Sequence, residues 1–166
     1  HAAAERIRFD SLLAQFVSSR VIAQQLLIPL TVDLSPVEHG CIIENLELLS
    51  RMGIEIEPFG EASLIVRSVP RLISGREGRL PVILSELAKE LGEHSSGKSH
   101  EDIVNKAIAT IACHSEIRAG KRLSFIEMER LVDDVISKRV KHCPHGRPAI
   151  VWLKRKEIDS WFLRGR

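Results

Sequence analysis

Residues 54–70 read IEIEPFGEASLIVRSVP. Two short runs rich in β-formers, IEIEPFG and ASLIVRSVP, stand on either side of a turn containing Gly60, and this pattern predicts a β-hairpin. On its N-terminal side, Ser35-Pro36-Val37-Glu38 combines a capping serine, a proline at the first helical position and a glutamate placed to complete a capping box. That signature opens a helix, which Gly53 is expected to end. Earlier still, VIAQQLLIPLTVDL (21–34) is rich in branched residues, and Pro29 within it favours an edge or kinked strand. The opening HAAAERIRFDSLLAQFV places Phe9, Leu12, Leu13 and Phe16 at helical spacing, with His1 and Glu5 sharing one face. Beyond the hairpin a helix is expected from about Leu80 to Leu91. The polar stretch GEHSSGKSHED (92–102), holding two glycines, reads as a linker, with a second region starting near Gly97.

That second region carries one helix with a stripe of Val104, Ala107, Ile108 and Ile111. Another opens at the Ser124 to Glu127 capping box and bears Met128, Leu131, Val132 and Val135; both stripes are expected to pack. The run AIVWL (149–153) reads as a strand and KRKEIDSWFLR as a short final helix. Helices and short strands alternate without the period of a barrel or doubly wound sheet, so the class is α+β (mixed α/β).

The chain has 166 residues, 44% of them hydrophobic, enough to bury one substantial core. No apolar run approaches the roughly 18 residues of a membrane span and no signal pattern opens the chain, so a cytoplasmic protein without membrane attachment is expected. Three cysteines, Cys41, Cys113 and Cys143, do not make a complete disulfide framework, which points to reduced thiols. A net charge of +2 does not mark a nucleic-acid binder by composition.

Three separated segments hold nearly all the soft and borderline metal donors: His1 with Glu5, Cys113 with His114, and Cys143 with His145. His1 and Glu5 are one helical turn apart, as in many helix-borne metal sites and equally in solvated surface pairs. Cys143 and His145 flank Pro144 in a turn rigidified by Gly146, with Arg147 beside them. Cys41, among Ile42, Ile43 and Leu46, reads as core, and Cys113 taken alone reads the same way. Residue types alone leave metal site and ordinary packing both open. Lys138-Arg139-Val140-Lys141-His142 and Lys154-Arg155-Lys156 flank the turn, as solvated faces or as a surface for the DNA backbone.

HAAAERIRFD resembles the endonuclease motif of MutL mismatch-repair proteins, whose full form is DQHA, two residues, Glu, four residues, Glu. IACHSEIRAG (111–120) resembles the second signature of the same C-terminal domain, CPHGRP (143–148) the third, and FLR (162–164) its F-x-R ending. PFGEASLIVRSVP is similar to the family's inserted regulatory lobe. The resemblance implies a dimerisation and endonuclease lobe, residues 1–20 and 97–166, with an inserted smaller α/β regulatory lobe, residues 21–96. It implies that His1, Glu5, Cys113, Cys143 and His145 are metal ligands, with Glu5 bridging two ions and also catalytic, and that Arg147 neutralises phosphate charge. Five ligands, one a shared carboxylate, would leave room for water and a phosphate oxygen. Thiolates favour Zn2+, whereas nicking in the family is supported by Mn2+.

The family's Asp-Gln lies before the first residue given. Asp10 replaces the second glutamate of the motif, and on a straight helix it lies about 140° round from Glu5, which excludes it from the ligands. His114, where many relatives carry arginine, stands behind the ligands or contacts DNA.

Gln24-Gln25-Leu26-Leu27-Ile28-Pro29 is similar to the family's motif for docking on the replication sliding clamp, with Gln24, Leu27 and Pro29 its defining residues. The alternative is a half-buried strand whose leucines serve the core. The resemblance further implies a homodimer, duplex DNA as substrate, a MutS-type mismatch-recognition partner, and ATP bound only by a separate N-terminal domain. The location implied is the bacterial cytoplasm, at the nucleoid. A catalytically silent, zinc-stabilised dimerisation module is the rival from another class. A zinc-dependent transcriptional regulator is disfavoured because no recognition helix is evident.

Overall fold

The computed structural model describes residues 1–18, 21–92, 99–115 and 122–163. Its elements run α1 (Ala2–Ser18), β1 (Ala23–Asp33), α2 (Pro36–Glu44), α3 (Leu46–Arg51), β2 (Glu55–Phe59), β3 (Ser63–Pro70), α4 (Leu80–Gly92), α5 (His100–His114), α6 (Phe125–Ser137) and α7 (Arg155–Trp161). Helices and one antiparallel sheet make it an α+β protein. The linker expected at 92–102 falls largely on residues 93–98, outside the described residues, as does Arg164 of the FLR ending.

The sheet has the order β1-β3-β2, and β2 and β3 form the expected hairpin, with Phe59 opposite Ser63 and Ile56 opposite Val66. Central β3 turns Leu64, Val66 and Ser68 fully inward. The buried Ser68 hydroxyl accepts the Glu55 N–H and donates to the Gly53 carbonyl, both at 3.2 Å, so no polar atom of that side chain is stranded where β2 slips register. Gly53 reaches φ +85°, which lets the chain turn from α3 into β2.

β1 is an edge strand, as Pro29 requires, and its pairing is interrupted. Gln25 faces Ser68 and Leu30 faces Val66, so residues 26–29 stand opposite Arg67 alone and bow out of the ladder. Leu26 and Leu30 pack against the core, whereas Leu27 is 99% exposed and Ile28 80%. Leu27 therefore serves no core of this chain. Leu27→Ala should change stability by less than about 0.5 kcal/mol, against about 2 to 5 kcal/mol for Leu64→Ala in the sheet centre; a pair of thermal melts checks both.

The Ser35 capping box forms as its sequence dictates, Glu38 accepting the Ser35 N–H at 3.1 Å. Ser35 and Ser85 donate to the same carboxylate and hold it well below its ordinary range, at about 2. The single helix expected from here to Gly53 is in fact two. At Asn45 the side-chain amide donates to the Cys41 carbonyl at 2.8 Å while the backbone N–H turns to Ile42. The asparagine thus offers the backbone a local alternative and breaks the run between α2 and α3.

One buried cluster joins Phe9, Leu12 and Phe16 of α1, the inner face of the sheet, Ile83, Leu84, Leu87 and Leu91 of α4, and Ile103, Ala107, Ile108 and Ile111 of α5. α4 buries residues 80, 83, 84, 87, 88 and 91, a single helical stripe. Each such side chain contributes roughly 1.5 to 3 kcal/mol by leaving water. This core fixes α1 against α5, the pair that carries the candidate site.

At the C-terminal end one expectation fails and another is not met within a single chain. On the α6 stripe only Val135 is buried, while Phe125, Ile126, Met128, Val132 and Ile136 are exposed and Leu131 is intermediate. AIVWL is not a strand: beyond the Ala149 N–H bonded to the Lys141 carbonyl, no ladder partner lies beside it among the described residues, and Trp152 is 89% exposed. A strand needs hydrogen bonds from a neighbour, and composition alone does not supply one. Among the described residues no helix is long and apolar enough to cross a membrane.

Candidate metal centre

α1 begins at the surface and presents His1 and Glu5 one turn apart, His1 Nε2 lying 3.1 Å from Glu5 Oε1. The Glu5 side chain is only 11% exposed, because the face that buries Phe9 and Leu12 carries it toward α5. Asp10 pairs with Arg6, 2.9 Å distant. α5, opened by a Ser99–Asp102 capping box, brings Cys113 in its last turn to the start of α1.

The third segment arrives by a tight reversal. α6 ends with the Val140 N–H bonded to the Val135 carbonyl and the Arg139 N–H to Ile136, while Arg139 adopts φ +52°. That is the left-handed C-terminal cap usually given to glycine, and it drives Val140 back into the interior. The CPHGRP turn follows. Gly146 N–H donates to the Cys143 carbonyl at 3.0 Å and Cys143 N–H to the Arg147 carbonyl at 2.8 Å, with Gly146 at φ +83° and His142 bridged to Pro148. Pro144 presets the second turn position, so Cys143 points inward, buried, while His145 reaches over to α5.

The donor atoms of Glu5, Cys113 and His145 all lie within 4.8 Å of one another. Cys113 Sγ is 3.8 Å from Nδ1 and 3.9 Å from Nε2 of His145. His1 joins through its contact with Glu5, while Cys143, buried in the turn, is not among the three donors that converge. Arg147, which the resemblance cast as a phosphate-neutralising residue, is exposed at the end of the turn. Of the clamp-motif residues, Gln24, Leu27 and Pro29 are all exposed on the β1 edge, remote in sequence from this cluster.

Burial pushes the Cys113 thiol up to about 12, helped by the Glu5 carboxylate, which also accepts its S–H, and by Cys143 and Glu86. Carboxylate and thiols crowd a half-dry position, and a divalent cation would relieve that crowding. The donors that converge, one carboxylate, one sulfur and one imidazole, fit zinc or a neighbouring transition ion.

His114 is buried, and its Nε2 lies 2.8 Å from Glu86 Oε2 on α4. Sequence reasoning put His114 behind the ligands but missed Glu86. A glutamate on the flank of an amphipathic helix looks like any solvated charge, and nothing local marks it.

Residues 1–123 match the model of the MutL C terminal dimerisation domain. The chain belongs to the MutL family. Over 165 residues it is 35% identical to the DNA mismatch repair protein MutL of Thermodesulfovibrio yellowstonii, covering 99% of this chain and 29% of that protein. It is 35% identical to the MutL of Azotobacter vinelandii and 36% to that of Neisseria meningitidis serogroup B, covering 100% of this chain and 26% and 25% of those proteins. The chain thus spans little more than a quarter of the length of these MutL proteins. The MutL domain match covers the segments carrying His1, Glu5 and Cys113, and the alignments to whole MutL proteins extend over the turn with Cys143 and His145.

Proposed function

We infer that this chain is the metal-dependent endonuclease and homodimerisation domain of a MutL-type mismatch-repair protein, nicking duplex DNA by phosphodiester hydrolysis. The observation that carries it is the convergence of Glu5, Cys113 and His145 donor atoms within 4.8 Å, from segments at opposite ends of the sequence. In this reading residues 1–20 and 97–166 form the nuclease and dimerisation lobe and residues 21–96 the regulatory lobe. His1, Glu5, Cys113, Cys143 and His145 hold the metal, Zn2+ bound tightly and Mn2+ supporting the reaction.

A bound ion supplies an ionised water and stabilises charge on the phosphodiester oxygens. Glu5, the carboxylate of the cluster, is 11% exposed at the side chain and would offer its oxygens to the ion from the enclosed side. His1, 42% exposed at the side chain, stands on the solvent side of the cluster, its Nε2 3.1 Å from Glu5 Oε1. Exposed Arg147 is free to swing onto a phosphate oxygen, and Lys141 with Lys154–Lys156 adds a basic surface for the DNA backbone. The partners in this scheme are a second copy, duplex DNA, the sliding clamp and a MutS-type protein. ATP is bound by a separate N-terminal domain, and the site of action is the nucleoid in the bacterial cytoplasm.

The two thiols also favour a second reading, a catalytically silent module in which zinc only ties the segments together. Elemental analysis for zinc, paired with nicking of supercoiled plasmid in Mn2+, separates them. Zinc with metal-dependent nicking supports the nuclease; zinc without nicking, in the presence of the ATPase half, leaves the silent module.

For the regulatory lobe, Gln24→Ala and Leu27→Ala should each weaken binding to the sliding clamp about tenfold or more while the melting temperature holds. The wild-type dissociation constant should be micromolar or weaker, since a six-residue segment buries little area and loses freedom on docking. Clamp affinity unmoved by both substitutions would reject the docking role.

A further inference from the structure

Cys113 is the penultimate residue of α5, in the turn where helical hydrogen bonding runs out. The Ser115 N–H and hydroxyl both turn back onto the Ala112 carbonyl, which closes the turn on itself. The link to a second element comes from the next side chain. His114 is 7% exposed, its Nε2 is 2.8 Å from the Glu86 carboxylate of α4, and its Nδ1 is buried with no hydrogen-bond partner among the described residues. Among the described residues, the Glu86 contact is the polar tether that sets the ring's orientation. Further along the same antiparallel pair, Lys106 Nζ meets Glu90 Oε2 at 3.4 Å, so the two helices are held at two heights, and the Glu86 tether is the one beside the ligands.

We propose that Glu86 is a positioning residue of the metal centre, its carboxylate holding the His114 ring and so fixing the last turn of α5 at the place where Cys113 meets Glu5 and His145. The inference rests on the metal-binding part of the proposed function and does not depend on nicking. Partners bonded directly to a ligand typically contribute about 10- to 100-fold in metal affinity, and Glu86 acts one residue further out, through His114 beside Cys113. Glu86 suits the role in one further respect. Its side chain is 47% exposed while neighbouring Ile83, Leu84 and Leu87 are fully buried, so removing the carboxylate leaves the α4 packing in place.

The test measures affinity for zinc alone, by competition with a chromophoric chelator, in the wild-type chain, Glu86→Ala and Glu86→Gln. Cobalt absorption spectra and thermal melts of the metal-free proteins accompany it. Glu86→Ala is expected to bind zinc about 10- to 100-fold more weakly and to alter the cobalt d–d envelope. Glu86→Gln keeps an acceptor for His114 and should return to within about threefold of wild type, with the wild-type spectrum. Unchanged zinc affinity in Glu86→Ala overturns the proposal. So does a Gln variant as impaired as Ala, because the carboxylate would then act by charge rather than by holding the ring. A wild-type chain that takes up no zinc removes the metal-centre reading itself. Zinc binding that follows the expected order without nicking removes only the nuclease.

Discussion

Glu5→Lys is expected to abolish Mn2+-supported plasmid nicking, by at least about a thousandfold, while the chain still folds. Among the clustered donors, this carboxylate touches both His1 and Cys113 and is the most enclosed oxygen donor. A lysine there replaces a cation-binding charge with a competing cation. It also removes the acceptor of the Cys113 S–H and should release bound zinc along with activity. Stability should fall by less than about 1 kcal/mol, since the α1 packing rests on Phe9, Leu12 and Phe16 and the exchange removes no apolar contact of theirs. His1→Ala should abolish nicking too, again without unfolding. Nicking at the wild-type rate in either variant, measured with matched melting curves, would strike that residue from the site.

The second large effect concerns association. Phe125, Ile126, Met128, Val132 and Ile136 lie bare on α6, Val151 and Trp152 on the segment after the turn, and Trp161 and Phe162 at the end of α7. An uncovered apolar surface of this kind is what a two-fold partner buries, and the domain family is described by its dimerisation. Light scattering at micromolar concentration should report twice the chain mass. Ile136→Glu combined with Trp152→Glu should give monomers, weakening association by about a hundredfold or more, since a buried tryptophan anchor carries roughly 2 to 4 kcal/mol and each glutamate adds a charge to the face that must be desolvated. Both residues are exposed in the single chain, so the melt should show no core defect. A wild-type monomer at that concentration counts against the dimer.

The elements legible in the sequence are those whose determinants lie within a few residues of one another. The Ser35 and Ser124 capping boxes form as written, because cap and reciprocating glutamate are three positions apart. The hairpin around Gly60 and the edge strand marked by Pro29 are likewise local. The break at Asn45 was not legible, since an asparagine in a helical pattern is usually harmless and only its bond to Cys41 makes it a stop. AIVWL has the composition of a strand and lacks a neighbour, which no local pattern can report.

At the site, the one-turn spacing of His1 and Glu5 and the turn-forming Pro144 and Gly146 were readable from chemistry. That Cys113 meets His145 from 32 residues away was not, because an isolated cysteine near the end of an apolar helix looks like core. Family resemblance supplied that pairing. Glu86 was invisible to both, as its role exists only where α4 passes His114.

The excursion of residues 26–29 from the β1 ladder has a consequence for colloidal behaviour. An edge strand bearing Gln-Leu-Leu-Ile-Pro and pairing regularly along its length would offer a continuous template of backbone donors and acceptors to any similar strand, with exposed aliphatic side chains to seal the junction. Here the pairing of β1 with β3 is broken opposite Arg67, and Pro29 contributes no donor. Leu27 and Ile28 are thus displayed on backbone too irregular to nucleate strand stacking. The chain can keep a sticky segment permanently in view of solvent without seeding fibrils from it.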